Sequence, residues 1–159
     1  MASNSSMRDA APVQILVDAD ACPVKEEIYK VAFRTETTVF IIANSYMRVP
    51  EHDLIKRIIV DGSFDAADDE IAERTTAHSI VVTSDIPLAD RCLKAGAIVL
   101  RPNGDPFTAD GIGAALATRA IMADLRAGGD QIGGPKPFSK ADRSRFLQAL
   151  DTSISKLRK

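Results

Sequence analysis

Two carboxylates close the first apolar run of this chain: Ile15-Leu16-Val17 leads straight into Asp18-Ala19-Asp20, and Cys22-Pro23 follows at once. In an open α/β sheet, ligands bind just beyond the carboxyl ends of the strands. A strand continued through both acids points their side chains to one side, and two like charges held together repel unless a cation joins them. The plainer alternative is that Asp20 only caps the helix that Pro23 opens, with Asp18 a solvated strand end.

Two later stretches add to this pair. Asp65-Ala66-Ala67-Asp68-Asp69-Glu70 carries four acids in six residues. Acids at a helix N-terminus gain roughly 0.3–1 kcal/mol each, but capping does not need four of them. The run Ser79-Ile80-Val81-Val82-Thr83 ends on Ser84-Asp85, a further acidic strand end with two hydroxyls beside it. Asp18, Asp20, Asp68, Asp69 and Asp85 make an all-oxygen donor set suited to Mg²⁺ or Mn²⁺, with water in the remaining positions. Such an ion makes hydroxide from water and stabilises the charge developing on a phosphodiester without a protein nucleophile. Asn44, Thr83 and Ser84, polar groups at the same strand ends, are the candidate substrate contacts.

The elements that must position these groups alternate along the chain. Apolar runs at Val13–Val17, Thr38–Ala43, Arg57–Val60, Ser79–Thr83 and Ala97–Leu100 read as strands, and near-continuous apolar strands are those covered on both faces of a parallel sheet. Helices are expected after Pro23, with Val24, Ile28, Val31 and Ala32 on one face; from Asp65, with Phe64, Ala67 and Ile71 buried; from Ile86-Pro87; over 108–127; and from Ser139, where Ser139 and Asp142 form a capping pair. A short helical stretch is also expected from the Val49-Pro50-Glu51 turn to about Ile55. The fold class is therefore α/β: a three-layer, doubly wound, mostly parallel five-stranded sheet of the Rossmann type, whose right-handed crossovers bring the acids to one edge.

Length and composition suit that reading. The chain has 159 residues, 45% of them hydrophobic, enough for one domain spanning 13–159 with a sizeable core. Residues 1–12 are expected to be a disordered leader and 128–138 a linker before the helix of 139–158. No run of roughly 20 apolar residues exists to cross a membrane, so a cytoplasmic protein is expected. Cys22 and Cys92 make neither a disulfide framework nor a metal knuckle. A thiolate at Cys22 would be favoured by the helix start, but a small buried space-filler is the preferred reading. His52 and His78 read as surface or turn residues. Net charge is only -2, yet residues 131–159 carry +5 and residues 1–130 carry -7. A basic C-terminal segment beside an acidic body suits an anionic ligand, with Lys136, Lys140 and Arg143 as candidate phosphate contacts. Aromatic residues are few, 5% with no Trp, and give little sign of base-stacking platforms.

Four ordered motifs resemble the bacterial YaiI/YqxD family, also called UPF0178 or DUF188. They are Asp18-Ala19-Asp20-Ala21-Cys22-Pro23-Val24-Lys25, Ala67-Asp68-Asp69-Glu70-Ile71, Val82-Thr83-Ser84-Asp85-Ile86-Pro87-Leu88-Ala89, and Gly134-Pro135-Lys136-Pro137-Phe138-Ser139 with Asp142-Arg143 and Phe146. That family is grouped with the PIN-like and NYN nucleases. The resemblance implies metal-dependent RNA cleavage, with Asp18 as first-strand ligand, Asp68 and Asp69 as helix acids, and Asp85 as fourth-strand ligand. Catalysis would then rest on Asp18, Asp69 and Asp85, with nucleic acid, RNA first, as partner, and a homodimer allowed.

Two other classes use many of the same residues. A haloacid-dehalogenase-like phosphatase would make Asp18 a nucleophile and Asp20 an acid/base, with Thr83 or Ser84 on phosphate; its later acidic motif should follow the hydroxyl strand, whereas Asp68-Asp69 precedes it. A phosphorylation receiver would use Asp18, Asp20, Asp61 and Thr83, but Arg101-Pro102 stands where its lysine is usual. A nucleic-acid-binding protein that keeps the acidic shell without turnover is the remaining class.

Overall fold

The computed structural model describes residues 12–61, 65–114, 117 and 138–159. In chain order it contains β1 (Gln14–Asp18), a 3-10 turn (Ala19–Ala21), α1 (Lys25–Thr35), β2 (Thr38–Ala43), β3 (Ile55–Ile59), α2 (Ala66–Arg74), β4 (Ser79–Val82), α3 (Ile86–Lys94), β5 (Ile98–Leu100) and α4 (Lys140–Leu157). Residues 109–114 are also helical. The rest of the expected 108–127 helix, apart from residue 117, lies outside the described residues. So do Phe64, Lys136, nearly all of the 1–12 leader and the 128–138 linker up to Phe138.

The five strands stand in the order β3-β2-β1-β4-β5, and every pairing is parallel. The chain winds outward from β1 to β3, then begins again on the other side of β1 with β4 and β5. Winding therefore reverses between β1 and β4, and the crevice at their carboxyl ends is where open α/β sheets take ligands.

The alternation of side chains along each strand divides the core in two. Ile15, Val17, Val39, Ile41, Ile80 and Val82 turn to the face covered by α1 and α4, where they meet Ile28, Val31, Phe146, Leu150 and Ile154. Leu16, Ile42, Val81 and Val99 turn to the other face, against Ile71 of α2, Leu88 and Cys92 of α3, and Phe107 and Ile112. Phe146 is wholly buried and seats α4; a phenylalanine in such a place stabilises by about 3–5 kcal/mol relative to alanine. A capping box starts the same helix: Ser139 Oγ accepts the Asp142 N–H and Asp142 Oδ2 accepts the Ser139 N–H.

The chain departs from the sequence reading between β2 and β3. No helix forms near Val49–Ile55. Leu54 gives its carbonyl to the Val39 N–H at 2.8 Å, and Ile55 N–H bonds the His52 carbonyl at 3.0 Å. Leu54's backbone is thus already committed to β2, and β3 starts at Ile55 rather than Arg57. Among the described residues no helix is long and apolar enough to cross a membrane.

Candidate active site

β1 stops at Asp18, and the 3-10 turn then redirects the chain. The same-face argument for Asp18 and Asp20 therefore fails, because it needs a strand that continues. Asp20 does not cap α1 either: the N-cap there is Val24, with no side-chain cap bond. Its Oδ2 instead accepts the Asn44 N–H at 2.8 Å, tying the turn to the end of β2. Lys25, absent from the sequence-based candidates, closes the turn by donating from Nζ to the Cys22 carbonyl at 3.0 Å and that of Ala19 at 3.4 Å.

Across the β1–β4 crevice, three groups form a relay. The Thr83 hydroxyl donates to Asp18 Oδ2 at 2.8 Å, and Thr83 Oγ1 accepts the Asp85 N–H at 3.0 Å. Asp85 is the N-cap of α3, its Oδ1 accepting the Leu88 N–H at 2.9 Å. Thr83 is only 2% exposed and its one proton is committed to Asp18. Its hydroxyl orients Asp18, and Ser84 beside it is exposed.

Asp68 enters the same field from the first turn of α2. Burial first, then Asp85, Asp18 and Asp65, push its carboxyl up to about 6, partly offset by Arg91. Asp18 is also raised, chiefly by burial and further by Asp85 and Asp20, against the Thr83 hydrogen bond. The neighbouring Asp69 lies elsewhere. Its side chain is 59% exposed and Oδ1 accepts from Arg91 Nη1 at 3.0 Å. Of two adjacent helix acids, Asp68 joins Asp18 and Asp85, while Asp69 joins a cation of α3. Among the described residues, no three His, Cys, Asp or Glu side chains stand together as a ready-made metal cage.

The basic C-terminal segment behaves differently from its charge. Arg143 Nη1 donates to the Pro23 carbonyl at 2.7 Å and lies 3.3 Å from Glu27 Oε1, with the guanidinium 5.0 Å from the Phe138 ring centre. Arg143 thus staples α4 to the start of α1. Lys140 is exposed at the start of α4. Cys22, whose thiol burial pushes up to about 11, is buried and lines a pocket of about 40 Å³ together with Asp18, Thr83 and Ser84. Through Ala21, Ser84 and Pro102 that pocket borders a groove of about 430 Å³, onto which Arg101, Asn103 and Phe138 open. Arg101 and Phe138 were not candidates from the sequence; a base and an aromatic at the two ends of a long connection give no local signal.

The family described as "Uncharacterized BCR, YaiI/YqxD family" (DUF188) matches residues 16–156. The chain belongs to the YaiI/YqxD family. A UPF0178 protein of Sphingopyxis alaskensis is 66% identical over 151 residues, covering 94% of this chain and 97% of its own. Its counterpart in Rhodopseudomonas palustris (strain HaA2) is 56% identical, covering 95% and 92%, and that of Nitrobacter winogradskyi is 55% identical, covering 92% and 94%. No solved structure matches. The YaiI/YqxD match takes in Asp18, Thr83 and Asp85 of the crevice, Asp68 of α2 and the Arg143 staple.

Proposed function

We propose that this YaiI/YqxD protein is a divalent-cation-dependent nuclease that hydrolyses phosphodiesters in RNA or single-stranded DNA. One observation carries the reading: Asp18, Asp68 and Asp85 come from three separate elements at the strand-order switch and lie close enough that Asp85 raises the pKa of both Asp18 and Asp68, and Asp18 that of Asp68. Crowded acids are unfavourable in isolation, and a cation reverses that balance. The donor set fits Mg²⁺ or Mn²⁺, which keep several waters and bind through one or two carboxylates together with substrate phosphate; that mode needs no complete protein cage. A bound ion would supply activated water and neutralise the charge developing on the phosphoryl oxygens.

The protein's own groups divide the remaining work. Thr83 holds Asp18 in one orientation through its hydroxyl. The Leu88 N–H fixes Asp85 through Oδ1, and Oδ2 has no hydrogen-bond partner among the described residues. Asp68 is the third acceptor, and the groove bearing Ser84, Arg101 and Phe138 leads a strand to the acids. Asp20 braces the turn through Asn44, and Asp69 is left with Arg91.

The test is cleavage of end-labelled single-stranded RNA and DNA in Mn²⁺, with Asp18→Asn beside the wild type. Cleavage that leaves a 5′-phosphate and a 3′-hydroxyl, and that is lost in Asp18→Asn, is the expected result. A product ending in 2′,3′-cyclic phosphate would contradict it, as would turnover of phosphomonoesters with no action on nucleic acid.

A further inference from the structure

The segment between β2 and β3, which the acid cluster does not use, carries its own surface. Tyr46 is 70% exposed, the most exposed large apolar side chain among the described residues. The Arg57 guanidinium lies 4.6 Å from the centre of its ring and is held there by a bond from Nη1 to the Met47 carbonyl at 3.3 Å. One ring face is therefore taken by a cation, and the exposure belongs to the other. Arg48, Lys56 and Arg57 line an open groove of about 820 Å³ beside Tyr46, with Glu51 as its one acid. None of the three bases is in an ion pair among the described residues. This contrasts with Arg143 and Arg91, whose charges are paired.

We infer that Tyr46, Arg57, Arg48 and Lys56 form a binding platform for single-stranded nucleic acid, with an unpaired base stacked on the open face of Tyr46 and phosphates on the three bases. Base–aromatic stacking combined with a basic groove is how single strands are held without sequence readout. A paired base inside a duplex cannot present its face to a ring, so the platform selects single strands. The platform follows a strand end that is tied to the turn after β1: Asn44 bonds Asp20 through its N–H, and Tyr46 follows two residues later, within about 7 Å of chain. The inference rests on the nuclease reading for its biological sense, but its test does not depend on cleavage.

Binding is measured without metal and in EDTA, using a short oligo(U) and, as control, an RNA duplex of equal length. The chain has two tyrosines and no tryptophan, and Tyr29 is buried. A change in tyrosine emission on binding therefore reports on Tyr46, over a constant background from Tyr29. Oligo(U) is expected to quench that emission and to bind more tightly than the duplex. Tyr46→Ala should weaken binding about 10-fold or more, Tyr46→Phe should bind as the wild type while losing the quench, and Arg57→Ala should also flatten the salt dependence of binding. Equal binding by wild type and Tyr46→Ala, both folded by circular dichroism, overturns the platform; so does a wild type that binds neither probe or binds only the duplex. Binding through Tyr46 by a protein that cleaves nothing keeps the platform and removes the nuclease reading. Cleavage that is indifferent to Tyr46→Ala, with oligo(U) affinity unchanged, keeps the nuclease reading and removes the platform.

Discussion

At the β1–β4 crevice, Asp18 and Asp68 are surrounded by other acids and pushed toward protonation; along α4, the arginines are matched one by one. Arg143 holds Pro23 and Glu27, Arg145 contacts Asp142, and Arg158 donates to the Thr35 and Glu36 carbonyls and to Thr37 Oγ1. In linear charge the two regions look like halves of one device, an acidic body and a basic tail. In space they differ in what their charges lack. Among the described residues Asp18, Asp68 and Asp85 are in no ion pair, and perturbed acids of this kind cluster at functional sites, whereas Arg143 and Arg158 are bonded across to the α1 region and Arg145 to its own helix.

The contrast is broken most severely by exchanging neighbours on α2. Asp68→Asn should lower Mn²⁺-dependent cleavage by about 100-fold or more, the scale on which a single positioned catalytic group acts, while Asp69→Asn should stay within a few-fold of wild type. The reverse ranking in the same cleavage assay would return the role to Asp69.

A second effect separates docking from ligand binding. Arg143→Ala removes charge-assisted bonds to Pro23 and Glu27 and should destabilise the fold by about 1–2 kcal/mol, on the scale of hydrogen bonds to charged groups discounted for partial exposure. Urea unfolding measures the loss, and oligo(U) affinity at a temperature where the variant is folded should match wild type. A large loss of affinity with no loss of stability would make Arg143 a phosphate contact after all.

The third effect is set by pH. Asp68 titrates near 6 in the fold against an ordinary value of 3.8, so the folded state takes up its proton first on acidification. The metal-free protein should accordingly gain stability as pH falls from about 7 through 6 toward 4, and lose it again on the way up. Asp68→Asn should raise the metal-free thermal midpoint at pH 7 by about 2–4 °C, the shift that roughly 1 kcal/mol makes in a chain of this size, and change little near pH 4. Mn²⁺ should weaken this benefit, since at about 100 times its dissociation constant it stabilises the wild type by roughly 2.7 kcal/mol at pH 7. A midpoint that falls steadily with acid from pH 7 would contradict the crowding.

The sheet is legible in the sequence because strands covered on both faces must be apolar almost throughout: Ile15, Leu16 and Val17 are all wholly buried, as are Ile80, Val81 and Val82. The acids at the strand ends are legible for the same reason, as abrupt breaks in those runs. What the sequence hides is set by partners distant along the chain. Asp68 and Asp69 are adjacent in one helical turn, and it is Arg91, on another helix, that bonds Asp69 and not Asp68. The stretch before β3 carries helix-like spacing, but the bond from the Val39 N–H to Leu54 makes it the approach to a strand. Tyr46 is one aromatic among few; its value lies in an exposed ring over Arg57, which no composition reports.

Whether the crevice acids hold the proposed cation is read from Mn²⁺ binding followed by electron paramagnetic resonance. A stoichiometric site is expected in the wild type that weakens at least 10-fold in Asp18→Asn and in Asp85→Asn, is unchanged in Asp69→Asn, and fades as pH drops through about 6. Mn²⁺ binding that ignores Asp18→Asn and Asp85→Asn in folded protein would contradict it.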